Sequence, residues 1–269
     1  TLDVVPLTDR GQCRVINCLT LQGSTITLLG DTPGTDRLLE FVGAQTLVGS
    51  GEVIFSGNAS RNLVLATGGA LTIGSGVSVH GGSGIVGQDA SAVGADAELL
   101  VEGRISADSS GQEIFVSGRS VINHGTLGAS NGGSLRLAGL APNAGVLNAG
   151  ADGLIRIDGD FSNTALGTVS VAVLGDLPQQ HGRLDVGGTA HLNGTLDLEL
   201  GGGTAPDYAL SLPIVTYDAV EGSFSSVLGL EQGPGSNARL VNGAGLAPGR
   251  VEQAFTFDGA NDYVEIPDS

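Results

Sequence analysis

The sequence predicts an all-β chain wound as a parallel β-helix. Three observations carry that prediction: a repeat of about twenty residues, strand-type alternation inside each repeat, and a composition rich in Gly and poor in aromatic residues. The repeat is plainest between residues 122 and 159. "INHGTLGASNGGSLRLAG" (122–139), laid over "PNAGVLNAGADGLIRIDG" (142–159) at an offset of twenty, superimposes Asn123 on Asn143, Gly125 on Gly145 and Leu127 on Leu147. The same offset superimposes Gly133 on Gly153, Leu135 on Ile155, Leu137 on Ile157 and Gly139 on Gly159. A further step of twenty reaches Asn163. Upstream, "EGRISADSSGQEIFVSG" fits at an offset of twenty-one to twenty-two, with Ile105 matching Leu127, and Ile114 and Val116 matching Leu135 and Leu137. "LVGSGEVIFSG" (47–57) and "LTIGSGVSVHG" (71–81) share Gly-Ser-Gly followed by an alternating apolar run.

A fixed period of this size marks a solenoid, whose units are too small to bury an apolar face alone and must stack on their neighbours. The local pattern selects which solenoid. "SLRLAG", "LIRIDGD", "EIFVSG", "TVSVAVLG" and "GTLDLELG" alternate apolar and polar residues and end at or near Gly, which is strand spacing. No segment sustains a helical stripe, Gly in nearly every decade opposes helix, and the order Leu-x-x-Leu-x-Leu-x-x-Asn of leucine-rich repeats is missing. The expectation is about one coil per twenty residues, with equivalent residues of successive coils about 4.8 Å apart. Asn123, Asn143 and Asn163 would then form a structural ladder, amide bonded to amide along the axis.

The elements follow in chain order. Residues 1–36, with the Cys pair and "DTPGTDR", are expected to cap the N-terminal end, and 37–176 to hold the β-helix repeats. Residues 177–245 are expected to hold the final coils and a C-terminal cap, because the composition changes there: Tyr208 and Tyr217, of a residue type absent from 37–176, appear together with Phe224. Residues 246–269 read as a linker followed by either the truncated start of another domain or a strand added to a neighbouring subunit.

Composition excludes several functions. The 269 residues include 46 Gly and 4% aromatic residues, so a core of Leu, Ile, Val and Ala is spread thinly over many turns. Net charge is −17, with Arg61, Arg104, Arg119, Arg136 and Arg156 spaced singly, which argues against a nucleic-acid partner. No apolar run is long enough to span a membrane. The opening "TLDVVPLTDRGQC" has neither initiator Met nor signal peptide and reads as a processed or excised segment. Cys13 and Cys18 lie five apart, which on a straight strand puts them on opposite faces. They form either a local disulfide around a turn or two unpaired buried thiols.

Candidate chemistry is sparse. Asp158 and Asp160 flank Gly159 and would point the same way in an extended chain, with Asp152 one turn earlier; Asp197 and Glu199 lie opposite Leu196, Leu198 and Leu200. Both carboxylate pairs are explained more simply as the wet side of an amphipathic strand than as the acid and base of a polysaccharide-cleaving enzyme. His80, His124, His181 and His191 are not spaced for a metal, and no Gly-x-Ser-x-Gly elbow is present. No cofactor is implied. Ca²⁺ is compatible with the acidic surface, and Asp258, Asn261 and Asp262 are weak oxygen-ligand candidates for it, read more simply as a solvated strand end.

"TLVGSGEVIFSG", "GGALTIGSGVSVHGGSGIVG", "INHGTLGASNGGSLRLAG" and "GRLDVGGTAHLNGTLDLEL…LPIVTYDAVEGSFSSV" resemble the repeats and cap of large secreted bacterial β-helix proteins, of the filamentous-haemagglutinin and autotransporter-passenger kind. The resemblance covers roughly 37 to 230. It implies a right-handed parallel β-helix outside the cell or at its surface, acting as adhesin stalk or structural fibre. Self-association into fibres and contact with surface glycans are the partners this implies. "LAPGRVEQAFTFDGANDYVEIPDS" is similar to the opening of a laminin-G-like, concanavalin-type sandwich, in which a Phe-Asp-Gly-x-x-Asp-Tyr-Val run forms an early strand. The sequence therefore leads to a non-enzymatic extracellular β-helix, with a carbohydrate-binding or polysaccharide-cleaving β-helix as the alternative.

Overall fold

A computed structural model describes residues 12–31, 33, 36–57, 61–89, 97–175, 177–201 and 211–229, together with 239–247 and 250–256 as backbone. The described residues are strands and turns, apart from one short 3-10 turn at Pro178–Gln180. The strands stack in parallel as a β-solenoid with three faces.

The first face runs through Gln12–Val15, Arg37–Val42, Asn62–Thr67, Gly84–Gly87, the first half of Glu113–Asn123, Ser134–Leu140, Leu154–Ile157, Arg183–Val186 and Ser211–Tyr217. The third face runs through the second halves of Leu19–Leu29 and Gln45–Ser56, then Val77–Gly81, Arg104–Ala107, Thr126–Ala129, Val146–Ala149, Thr168–Val173, Thr195–Leu200 and Ser226–Leu228. Between them a narrower second face takes the first halves of Leu19–Leu29 and Gln45–Ser56, then Leu71–Ile73, Glu98–Val101 and the second half of Glu113–Asn123. It ends in a separate small sheet of Phe161–Ser162, Thr189–Leu192 and Ala219–Gly222.

Alternation along each strand sends every second side chain inward, and the parallel register puts like over like. On the first face Leu39, Val64, Val86, Val116, Leu137, Ile157 and Val186 form one inward column. On the third, Ile26, Val53, Val79, Ile105, Leu127, Leu147, Val169 and Leu196 form another. All of these belong to one buried core. Each fully buried Leu or Ile contributes about 1.5–3 kcal/mol relative to exposure, and only stacking supplies that burial. Phe55 fits inside because Gly84 leaves room for its ring; a Cβ at Gly84 would overlap the ring atoms.

The coil length departs from a uniform twenty. The first inward column advances from residue 39 to 64, 86, 116, 137, 157 and 186, so a coil takes between 20 and 30 residues. The twenty-residue step is the length of the tightest coils, around Leu137 and Ile157; elsewhere corners carry extra residues, including Leu174 to His181 with the Pro178–Gln180 turn. A parallel stack tolerates this because its register is set by strands, and insertions leave at the corners.

Residues 12–29, inside the range expected as an N-terminal cap, already form a coil in register with Arg37–Val42 and Gln45–Ser56. At the other end, Arg250–Thr256 pairs antiparallel with both Ser211–Tyr217 and Arg239–Ala247. That strand covers the free edge of this chain's own last coil on the first face, beneath the buried Tyr217.

Corners hold the coils in contact. A Cβ at Gly125 would overlap the carbonyl oxygen of Gly103 on the coil before it. Gly125→Ala is therefore expected to destabilise the fold by about 1–3 kcal/mol in urea unfolding, because main chain and not a flexible side chain must move. An unchanged midpoint would show that the corner is looser than it looks.

Candidate functional site

The residues that first suggest a site are the asparagines of the repeat. Asn123 ends its strand at the corner before Thr126–Ala129, in register with Val101 on the preceding coil. Asn143 and Asn163 take the same corner on the next two coils and are joined by a parallel bridge. Asn123 Nδ2 donates to Asn143 Oδ1 at 2.8 Å, and Asn143 Nδ2 donates to Asn163 Oδ1 at 2.8 Å. The other amide hydrogens go to main-chain carbonyls: Asn123 to Val146 at 3.2 Å, Asn143 to Gly145 at 3.1 Å and Asn163 to Gly167 at 3.0 Å. Gly125 N–H donates to Asn123 Oδ1 at one end, and Asn163 Nδ2 donates to the Asn193 carbonyl at 2.7 Å at the other.

The three amides point one way along the axis, and their exposures of 0%, 0% and 3% leave no atom for a ligand to reach. The Gly of each Asn-x-Gly or Asn-x₃-Gly corner is part of the device: a Cβ at Gly145 would crowd Asn123 Nδ2, and one at Gly167 would overlap Asn163 Oδ1. Chemically the arrangement can fix the register of coils, since each buried amide is satisfied only when its neighbour sits one strand spacing away.

The carboxylates are divided among neighbours. Gly159, at φ +85°, turns the chain between Asp158 and Asp160, so the pair does not share one extended strand as the sequence suggests. Asp158 reaches back to Arg136, whose Nε and Nη2 donate to it at 3.1 and 2.8 Å. Asp160 reaches forward and accepts the Thr189 N–H at 2.8 Å. Asp152 sits at φ +56° in its own corner, and its main-chain carbonyl accepts the Gly132 N–H. Glu199 accepts from Ser170 Oγ at 2.9 Å, while Asp197 lies beside Ser170 on the next strand. The carboxylates of Asp158, Asp160 and Glu199 thus bond coil to coil, each to a different partner.

The sequence reading missed the other coil-to-coil links. His80 bridges three coils, its Nε2 3.0 Å from Glu52 Oε2 and its Nδ1 3.1 Å from Asp108 Oδ2. Its signal was present: Glu52, His80 and Asp108 recur at a constant step of 28. The His80 imidazole, ahead of the Thr25 hydroxyl that also bonds it, holds the Glu52 carboxyl below its usual range. Arg14 bonds Glu40 at 2.8 Å. Burial works against the Glu40 charge, and Arg14, Thr67 and Gln12 outweigh it, so that carboxyl also stays below its usual range. Arg61 joins Asp36 at 2.6 Å to Asp89 at 2.7 Å, and Arg136 lies over the Phe115 ring at 4.8 Å.

Of the remaining sequence candidates, Cys13 and Cys18 are both free thiols. Cys13 faces inward from its strand and packs on the core, where burial pushes its thiol up; Cys18 is exposed past the strand end at φ +43°, its N–H held by Gln45. The strand end separates them, so the turn that a disulfide required places one sulfur inside and the other outside. Asp258, Asn261 and Asp262 lie outside the described residues. Among the described residues no group of three or more His, Cys, Asp or Glu is arranged to hold a metal. His181 is buried in the neck of the Leu174 to His181 excursion, with Nδ1 3.1 Å from the Leu177 carbonyl. Burial pushes its imidazole below the ordinary value.

Asn143→Leu, in the middle of the ladder, is expected to destabilise the fold by about 1–3 kcal/mol in chemical denaturation, since Asn123 and Asn163 each lose a partner while buried. A neutral change would remove the ladder from any account of stability. A histidine whose value falls on folding binds fewer protons folded than unfolded, so its contribution is complete above the ordinary value near about 6.5 and is lost as pH falls toward the folded value. The urea midpoint is therefore expected to fall as pH drops through that window, and to fall less in His181→Gln; equal slopes would show that His181 does not contribute. No family model matches the chain and no curated protein matches it, so the geometry carries the functional reading.

Proposed function

We propose that this chain is a non-enzymatic, extracellular structural or adhesive β-helix, serving as an adhesin stalk or as the subunit of a surface fibre or sheath. The observation that supports the reading most is the direction of the polar contacts. The Asn123 to Asn163 ladder, the Arg136–Asp158 pair and the Glu52–His80–Asp108 bridge all run from coil to coil along the stack. Side chains used in this way hold a scaffold in register, whereas catalysis of glycan cleavage needs an acid and a base on either side of one bond. The resemblance of the repeats to secreted bacterial β-helix proteins supports the location outside the cell and the stalk or fibre role. The partners this reading implies are further copies of the chain or surface glycans.

The test combines a polysaccharide panel with concentration-dependent sedimentation and electron microscopy. The expected result is no turnover on the panel, with ordered filaments from a fibre subunit or a concentration-independent monomer from a stalk. Turnover of any polysaccharide that is lost in Asp158→Asn or Asp160→Asn would overturn the reading.

A further inference from the structure

We propose that Asn193–Gly194 is a self-modifying peptide, at which the folded chain converts the side chain of its own Asn193 into aspartate and isoaspartate. The reaction is intramolecular. The Gly194 main-chain nitrogen gives its proton to solvent base and attacks Asn193 Cγ, forming an N–Cγ bond. The Cγ–Nδ2 bond then breaks, and Nδ2 takes a proton from water and leaves as ammonia. Water opens the resulting five-membered imide at either carbonyl, which leaves aspartate or isoaspartate at position 193. No oxidant or reductant is needed, and water is the only co-reactant.

Three features of the site favour this chemistry. Gly194 N–H donates to Asn193 Oδ1 at 2.7 Å, which holds the attacking nitrogen against the amide it must attack. Ser225 Oγ donates to the same Oδ1 at 2.7 Å, so a hydroxyl stands where negative charge gathers in the tetrahedral intermediate. Asn193 is exposed, so water reaches its side chain and ammonia leaves freely, and Gly194, itself buried, has no side chain to hinder the ring.

A second Asn-Gly pair on the same solenoid supplies the contrast. Asn131 is also exposed, but Gly132 N–H donates at 3.1 Å to the Asp152 carbonyl on the following coil, which directs that nitrogen away from the Asn131 side chain. Position 193 also matters structurally: its carbonyl accepts the last hydrogen bond of the asparagine ladder. Isoaspartate reroutes the main chain through Cβ and Cγ and turns that carbonyl into a pendant carboxylate, so modification loosens the ladder from this end.

The experiment is incubation of the folded chain in mildly alkaline buffer, followed by peptide mapping with mass spectrometry and isoaspartate-specific methyl transfer. Parallel samples are kept in urea. In the folded chain Asn193 is expected to convert severalfold faster than Asn131, and in urea the two rates converge. Ser225→Ala, a change at an exposed residue, is expected to slow Asn193 severalfold and leave Asn131 unchanged. Equal or reversed rates in the folded chain, or a Ser225→Ala variant that converts at the original rate, would overturn the proposal.

Discussion

A coil of twenty to thirty residues can bury its apolar side chains only by lying on the coil before it, and everything else in the molecule depends on that stacking. Parallel register brings each side chain about 4.8 Å from its counterpart above and below. An inward Leu or Val thus meets another, as Leu127, Leu147 and Val169 do. An inward polar group has to find its partner in the same direction. Asn123, Asn143 and Asn163 satisfy this because an amide both donates and accepts, so a column of them leaves no group unpaired between its ends.

The same constraint organises the charges. The chain carries 28 acidic residues against 11 basic ones, and no Lys, so every cationic side chain besides His is a planar guanidinium. Arg14 and Arg136 each bond one carboxylate on another coil, Glu40 and Asp158, and Arg61 bonds two, Asp36 and Asp89. With Arg136 and Asp158 44% and 41% exposed, such a pair adds only about 0–1 kcal/mol in water. Its larger effect is on register, since a coil slipped by one residue would turn each outward charge into the core. Removing a slip state from competition is a matter of specificity more than stability.

The core of this pattern was legible in the sequence because the middle coils are the shortest ones. With few residues at their corners, Asn123, Asn143 and Asn163 recur at twenty, and so do Leu127 and Leu147 and the Leu135–Ile155 and Leu137–Ile157 pairs, all of which pair in the structure or share its corners. The uneven coils were not legible, since corner insertions change the offset without changing the strands. The Glu52–His80 link between adjacent coils has a constant step but was not read from it, because the residues are 28 apart while their strands are in register at 26, from Ile54 to His80, so the contact is diagonal. The split of Asp158 from Asp160 follows from the positive φ of Gly159, which a strand-like reading of "IRIDGD" does not anticipate. The antiparallel return of Arg250–Thr256 onto Ser211–Tyr217 depends on an edge that exists only once the last coil is placed.

A solenoid of this kind is held together by keeping its coils in step, so the most direct measurement is side-chain amide hydrogen exchange at Asn143 compared with Asn131. Asn143 is fully buried between two amide partners and Asn131 is exposed. The account predicts that the Asn143 Nδ2 hydrogens exchange as slowly as the main-chain amides of the core strands, opening only with the stack itself. Exchange of Asn143 at the rate of Asn131 would contradict it, because the amide column would then open without the coils separating.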